Sequence, residues 1–196
     1  VPLVGNIKVT REDWLNLARD TLVHEGVGEL KILGLSARMN VSRSSFYWYF
    51  KSRQDLLDAL LESWQETNTA ALVASSHEQA ETITEAVCNV FRCFINPNRF
   101  NNPLDFAVRE WARRSGKVRK ALDRSDRTRL EALESMYVKF GYEARDAVSR
   151  GRILYFMQLG YNVAELDETI EDRLKILPDY IVGFTGVEAK PHELDE

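Results

Sequence analysis

Residues 41–53, VSRSSFYWYFKSR, crowd five aromatic and three basic side chains into thirteen positions. Arginine, serine, tyrosine and tryptophan can all hydrogen-bond to phosphate oxygens or base edges, and arginine can present two N–H groups to one guanine. On a helix, Phe46 and Phe50 lie four apart on one face, while Arg43, Ser44, Tyr47 and Trp48 can point away from it. Phe46 and Phe50 are therefore expected to anchor the segment, and Tyr47, Trp48 and Tyr49 to offer O–H or N–H groups outward. The charge is local as well. The formal net charge is −4, yet no acidic residue falls between Glu29 and Asp55, where Lys31, Arg38, Arg43, Lys51 and Arg53 stand. A positive island in an acidic chain argues against a general polyanion binder and for one dedicated contact surface.

Other chemistries find little support. Cys88 and Cys93 are five apart, about 140° around a helix axis, a poor arrangement for sharing one metal; they read as free thiols of a reducing compartment. His24, His77 and His192 show no ligand spacing, so no metal is expected. The sequence has no GxSxG and no glycine-rich phosphate loop, and neither catalytic residues nor a cofactor are expected. A helical interaction module that does not touch DNA is the remaining alternative. Salt separates the two, because phosphate contacts weaken steeply with added salt.

The elements that must hold residues 41–53 are helical. Thr10 and Asp13 form a capping-box signal ahead of Trp14, Leu15, Ala18 and Leu22 at helical spacing, and Gly26 and Gly28 end that helix. Ile32 to Met39 follow, closed by Asn40, which tolerates a left-handed backbone. Ser42 is placed to cap the next helix, of about seven residues to Tyr49 or Phe50, too short to stand alone in water. Ser52 and Asp55 repeat the capping signal before Leu57, Leu60, Leu61 and Trp64, which carry an uninterrupted helix past residue 70. Helices are then expected over 78–95, 104–114, 119–140, 144–164 and 168–184, with a break at NPNRFNNP (96–103). No strand pattern, internal repeat or membrane-length apolar run is visible. The first residues lack the marks of a secretory signal, and a cytoplasmic address is expected.

A short helix, a turn at a left-handed-tolerant residue and a second short helix rich in Arg, Ser and Tyr outline a helix-turn-helix. LSARMNVSRSSFYWYFKSRQDLLDALL, within about residues 9–64, resembles the N-terminal domain of the TetR family of transcriptional regulators: Ser36, Asn40, Val41, Ser42, Phe46, Tyr47, Tyr49, Phe50, Lys51, Arg53, Leu56 and Leu57 occupy its pattern. The chain departs from that pattern where Lys31 and Ile32 replace the usual threonine, where Gly34 falls inside the second helix at a cost of about 1 kcal/mol against alanine, and where Asn40 replaces the turn glycine. DFAVREWARRSGKVRKALDRSD (105–126) resembles the middle of some members.

The resemblance implies an all-α protein: residues 1–9 a disordered segment, 10–55 the helix-turn-helix domain, 56–184 a helical effector-binding and dimerisation domain, and 185–196 a disordered tail. It implies a sequence-specific transcriptional regulator, by family habit a ligand-responsive repressor, on a double-stranded inverted-repeat DNA operator. Arg43, Ser44, Ser45 and Tyr47 become candidates for base edges, with Ser42, Trp48, Tyr49, Lys51, Arg53 and Lys31 on the backbone. One short helix cannot specify a site, so such readers pair as homodimers with reading helices about 34 Å apart. GRILYFMQLGYNVAEL (151–166) is apolar nearly all round and LKILPDYIVGF (174–184) follows it, giving Ile153, Phe156, Met157, Gly160, Tyr161, Leu177, Ile181 and Phe184 as the expected dimer surface. A small-molecule effector of unidentified structure is expected in a pocket drawing on Phe91, Phe94, Phe106, Arg109, Trp111, Tyr137 and Tyr155, with Met136 and Glu110 nearby.

Overall fold

The computed structural model describes residues 9–164 and 168–194. Apart from Val9, the N-terminal segment expected to be disordered lies outside them. Among the described residues there are helices and no strands, and they divide into two compact units, one of residues 9–64 with 103–119, the other of 65–102 with 120–164 and 168–194.

In the first unit, α1 (Arg11–Glu25) opens on the full capping box: Asp13 N donates to Thr10 Oγ1 at 3.2 Å and Thr10 N to Asp13 Oδ2 at 2.7 Å. Gly26, with φ of 84°, closes it in a conformation that L side chains resist. A one-turn 3₁₀ segment (Val27–Glu29) leads to α2 (Ile32–Arg38), and Asn40 at φ 54° turns the chain into α3 (Arg43–Tyr47). The third helix is even shorter than its sequence suggests. Ser42 does not cap it; its hydroxyl pairs with that of Ser44 at 2.6 Å.

Packing supplies what length cannot. Trp14, Phe46, Phe50, Leu60 and Trp64 are essentially fully buried, with Trp14 and Phe46 edge to face at 5.3 Å. Each such side chain contributes about 1.5–3 kcal/mol. The fourth helix, α4 (Arg53–Trp64), provides that floor, and α7 (Asn102–Ala112) adds Leu104, Val108 and Trp111 to the same unit.

The second unit holds α5 (Ala70–Ser76), α6 (Ile83–Ile95), most of α8 (Gly116–Lys139), α9 (Ala144–Val163), α10 (Ile170–Lys175), α11 (Leu177–Thr185) and α12 (Pro191–Leu194). Its core runs through Val87, Phe94, Phe100, Leu133, Tyr137, Leu154 and Ile181. Gly151 lets α8 and α9 approach closely: a Cβ there would sit 3.3 Å from the Glu134 backbone nitrogen.

Three sequence expectations meet a different arrangement. The uninterrupted helix past residue 70 is a π turn at Gln65–Thr69 between α4 and α5. Buried Asn68 there clamps the 96–103 loop, donating to Asn101 O at 2.9 Å and accepting from Asn101 N at 3.1 Å. The helix expected over 168–184 divides at Ile176, because Pro178 cannot complete the preceding ladder. The tail expected to be disordered is placed through residue 194: Glu193 is buried, accepting from Thr82 Oγ1 at 2.6 Å and from Lys190 N at 2.6 Å.

Candidate nucleic-acid interface

The outward face of α3 carries the expected side chains. Ser42, Arg43 and Ser44 are exposed, Ser45 is half-buried, and Tyr47 and Trp48 are 57% and 84% exposed over a Phe46 with no exposure. An indole that open to solvent is not core, so the aromatic cluster divides into anchors and presenters as its spacing indicates. Leu33, in the first turn of α2 of the same unit, is 66% exposed and has no distinguishing signal in the sequence.

The five cations of the acid-free stretch have unequal freedom. Arg38 bridges α1 and α2, its two Nη atoms on the Glu25 carboxylate at 2.5 and 2.6 Å and Nη1 also on Thr21 Oγ1 at 3.2 Å. That bond holds Glu25 below its usual range and raises Arg38. Lys31 pairs with Glu29 at 3.1 Å. Arg53, half-buried, donates Nε to Leu30 O at 2.6 Å and Nη2 to Val27 O at 2.7 Å. It fastens α4 to the turn before α2, so the side chain expected on a phosphate is engaged inside the head. Arg43 and Lys51 alone of the five have no ion-pair or side-chain hydrogen-bond partner among the described residues.

Tyr49 is likewise drawn inward. Its phenol donates to Val9 O at 2.7 Å, tying the end of the reading segment to the residue before the Thr10 cap. Arg11 covers the Phe50 ring at 5.1 Å. Hydrogen bonding to Thr10 holds Asp13 below its usual range, keeping that cap charged. Lys51 stays exposed, its backbone N–H on Asp55 Oδ2 at 2.8 Å, while Asp55 N donates to Ser52 Oγ at 3.1 Å. The capping signal at Ser52 is thus present, and it fixes where the cation sits.

The expected effector residues fall into both units. Phe91, Phe94, Tyr137 and Tyr155 are buried in the second unit. Phe106, 39% exposed, Arg109 and Trp111 lie on α7 in the first, where Arg109 Nε donates to Asp105 at 3.0 Å and Trp64 Nε1 to the other Asp105 oxygen at 2.9 Å. The second unit also buries groups the sequence did not flag. Arg129, with no exposure, donates to Thr69 Oγ1 at 3.1 Å and Tyr155 OH at 3.2 Å. One turn from Tyr155, Gln158 is fully buried with neither amide atom bonded. No local signal marks Gln158; a glutamine in an apolar helix is conspicuous only once its face is known.

On α9, Ile153, Phe156 and Val163 are about half exposed along one stripe with Gly160. Met157, Tyr161 and Leu177 are half-buried, and Arg173 lies over the Tyr161 ring at 4.0 Å. Ile181 and Phe184 are inside their own unit, Phe184 against Phe91 at 5.6 Å; Val182 faces outward in their place at 41% exposure.

Comparison with known proteins follows this geometry. Residues 15–60 match the family of bacterial regulatory proteins described as the tetR family. No curated protein matches the chain. A TetR transcriptional regulator from Legionella pneumophila shares the fold with TM-score 0.69 and 16% identity, over 91% of this chain and 98% of that one. The ketosteroid transcriptional regulator KstR2 of Mycobacterium tuberculosis aligns with TM-score 0.68 and 13% identity, over 96% and 100%. The superantigen PfiT aligns too, with TM-score 0.62 and 22% identity, over 88% and 94%. A fold shared with a protein so named leaves the function to the residues of the head.

Proposed function

The chain belongs to the tetR family of bacterial regulatory proteins through its N-terminal helices, and from that premise we propose that it is a ligand-responsive repressor binding an inverted-repeat operator as a homodimer. Members of the family are non-enzymatic DNA-binding transcription factors, so at the coarse level the chain is a DNA-binding transcriptional regulator.

One observation carries the finer reading: the exposed face of α3, with Arg43 uncommitted and Trp48 84% exposed above a fully buried Phe46. Arg43, Ser44, Ser45 and Tyr47 meet base edges in the major groove. Lys51, Trp48, Ser42 and Lys31 hold the phosphate backbone. Tyr49 and Arg53 act from within, fixing the ends of the segment that the others present.

The α9 stripe of Ile153, Phe156, Gly160 and Val163, with Val182 on α11, supports pairing of two copies, and a two-fold dimer reads an inverted repeat. Met157, Tyr161 and Leu177 flank that surface. A small-molecule effector enters the second unit near Tyr155, among Phe91, Phe94 and Tyr137. Gln158 supports this reading, because a buried amide without a partner costs about 1–3 kcal/mol and a polar ligand group or a water would relieve it. Ligand binding shifts DNA affinity by the ligand's differential affinity for the DNA-binding and non-binding forms of the protein. The regulator works in the cytoplasm; no helix among the described residues is long and apolar enough to cross a membrane.

Selection of bound fragments from a random duplex pool tests the proposal, using the wild type beside the double variant Arg43→Ala, Tyr47→Ala. Enrichment of an inverted repeat by the wild type alone is expected. No enrichment by either protein overturns the operator reading.

A further inference from the structure

The first unit contains a cavity of about 230 Å³ to which α3 contributes no lining residue. Its floor is apolar, from Leu57 and Leu61 of α4, Trp111 of α7 and Val118 in the first turn of α8, all buried. Around it stand three cations, Arg53, Arg114 and Lys117, and one carboxylate, Asp58.

These charges are held differently. Lys117 Nζ lies 2.6 Å from Asp58 Oδ1, which also accepts from Gln54 Nε2 at 2.8 Å. The Lys117 hydrogen bond keeps Asp58 below its usual range, so this carboxylate stays ionised and occupied. Arg53 is fixed by its two carbonyl bonds. Arg114 is exposed and has no hydrogen-bonding side-chain partner or ion pair among the described residues. Three cations round an apolar floor with one committed counter-charge repel one another, and the repulsion is relieved by an added anion.

We propose that this cavity binds a small organic carboxylate with a flat apolar body, the body lying on Trp111, Leu57 and Val118 and the carboxylate meeting Arg114 and Lys117. A forked guanidinium suits a planar carboxylate, and the cavity admits only a compact molecule. The site is independent of the effector pocket proposed for the second unit. Its wall includes Val27 and Gly28, and Arg53 joins that wall to the carbonyl of Leu30, two residues before α2 begins. An occupant therefore steadies the turn that delivers the first half of the helix-turn-helix.

The test uses the full chain without DNA, titrated with benzoate and with neutral benzamide at low salt and followed by calorimetry. Hydrogen exchange is measured over residues 26–31. Benzoate is expected to bind saturably at one site per chain, benzamide at least roughly tenfold more weakly, and Arg114→Gln to reduce benzoate affinity by a similar factor. Exchange over 26–31 should slow with benzoate in the wild type and not in Arg114→Gln. Lys117→Met serves as a second variant, and unchanged melting temperatures exclude a folding defect. No saturable benzoate binding, equal binding of benzamide, or affinity indifferent to both substitutions would overturn the proposal. Because no DNA is present, failure here is distinct from failure of the operator reading.

Discussion

Arg43 and Arg53 stand ten positions apart in one basic stretch, and the structure gives them opposite expected responses to mutation. Arg43 is exposed and uncommitted, so Arg43→Ala should lose about 1–3 kcal/mol of discrimination at a single base pair, measured by competition among operator variants. Lys51→Ala should instead weaken all duplexes alike and reduce the slope of log affinity against log salt by about 0.9. Arg53→Ala removes two donors from the carbonyls of Val27 and Leu30. It should cost about 1–3 kcal/mol of stability in denaturant melts, and DNA affinity should fall only as the head loosens.

At the scale of elements, α2 and α3 are too short to be helical alone, and their stability is borrowed from neighbours. Phe46→Ala should cost about 3–5 kcal/mol and unfold the head, read by loss of near-ultraviolet ellipticity. Gly34 offers the reverse. It is exposed within α2 and a Cβ there meets nothing within 4 Å, so Gly34→Ala should stabilise by about 0.5–1 kcal/mol. The clamp between α1 and α2 adds a pH dependence. Arg38 lowers the folded-state pKa of Glu25 from its ordinary 4.5, so the contribution is complete above that ordinary value and is lost as pH falls through the lowered one. Melting temperature against pH should therefore decline less steeply on the acid side in Glu25→Gln than in the wild type.

For the whole molecule, the α9 stripe makes assembly the most informative test. Phe156→Glu sets a charge on a side chain that is 46% exposed, its ring 5.7 Å from that of buried Tyr155; if the stripe pairs two copies as proposed, light scattering should report a monomer for this variant and a dimer for the wild type, with an unchanged melting temperature excluding a folding defect. Phe184→Glu is a control of another kind: that ring is buried against Phe91, so the substitution should unfold the second unit rather than merely separate two copies. A wild type that is monomeric at micromolar concentration would remove the dimer from the functional reading.

The order of helices, the facing of α3 and the roles of Phe46 and Phe50 were legible in the sequence, because periodicity and capping are local properties carried by residues three or four apart. Even the departures at Lys31, Gly34 and Asn40 could be named before any coordinates, by setting the segment beside the family pattern it resembles. Local pattern says nothing about partners far along the chain. Arg53 reaches a carbonyl twenty-six residues away, Tyr49 one forty away, and Lys117 meets Asp58 across fifty-nine. Such pairings depend on which loop the fold brings alongside, so tertiary structure alone decided which cations of the basic stretch remain free. It likewise turned Ile181 and Phe184 inward and Val182 outward. A helix apolar nearly all round carries no record of which face its own unit will cover; that depends on the helices packed against it.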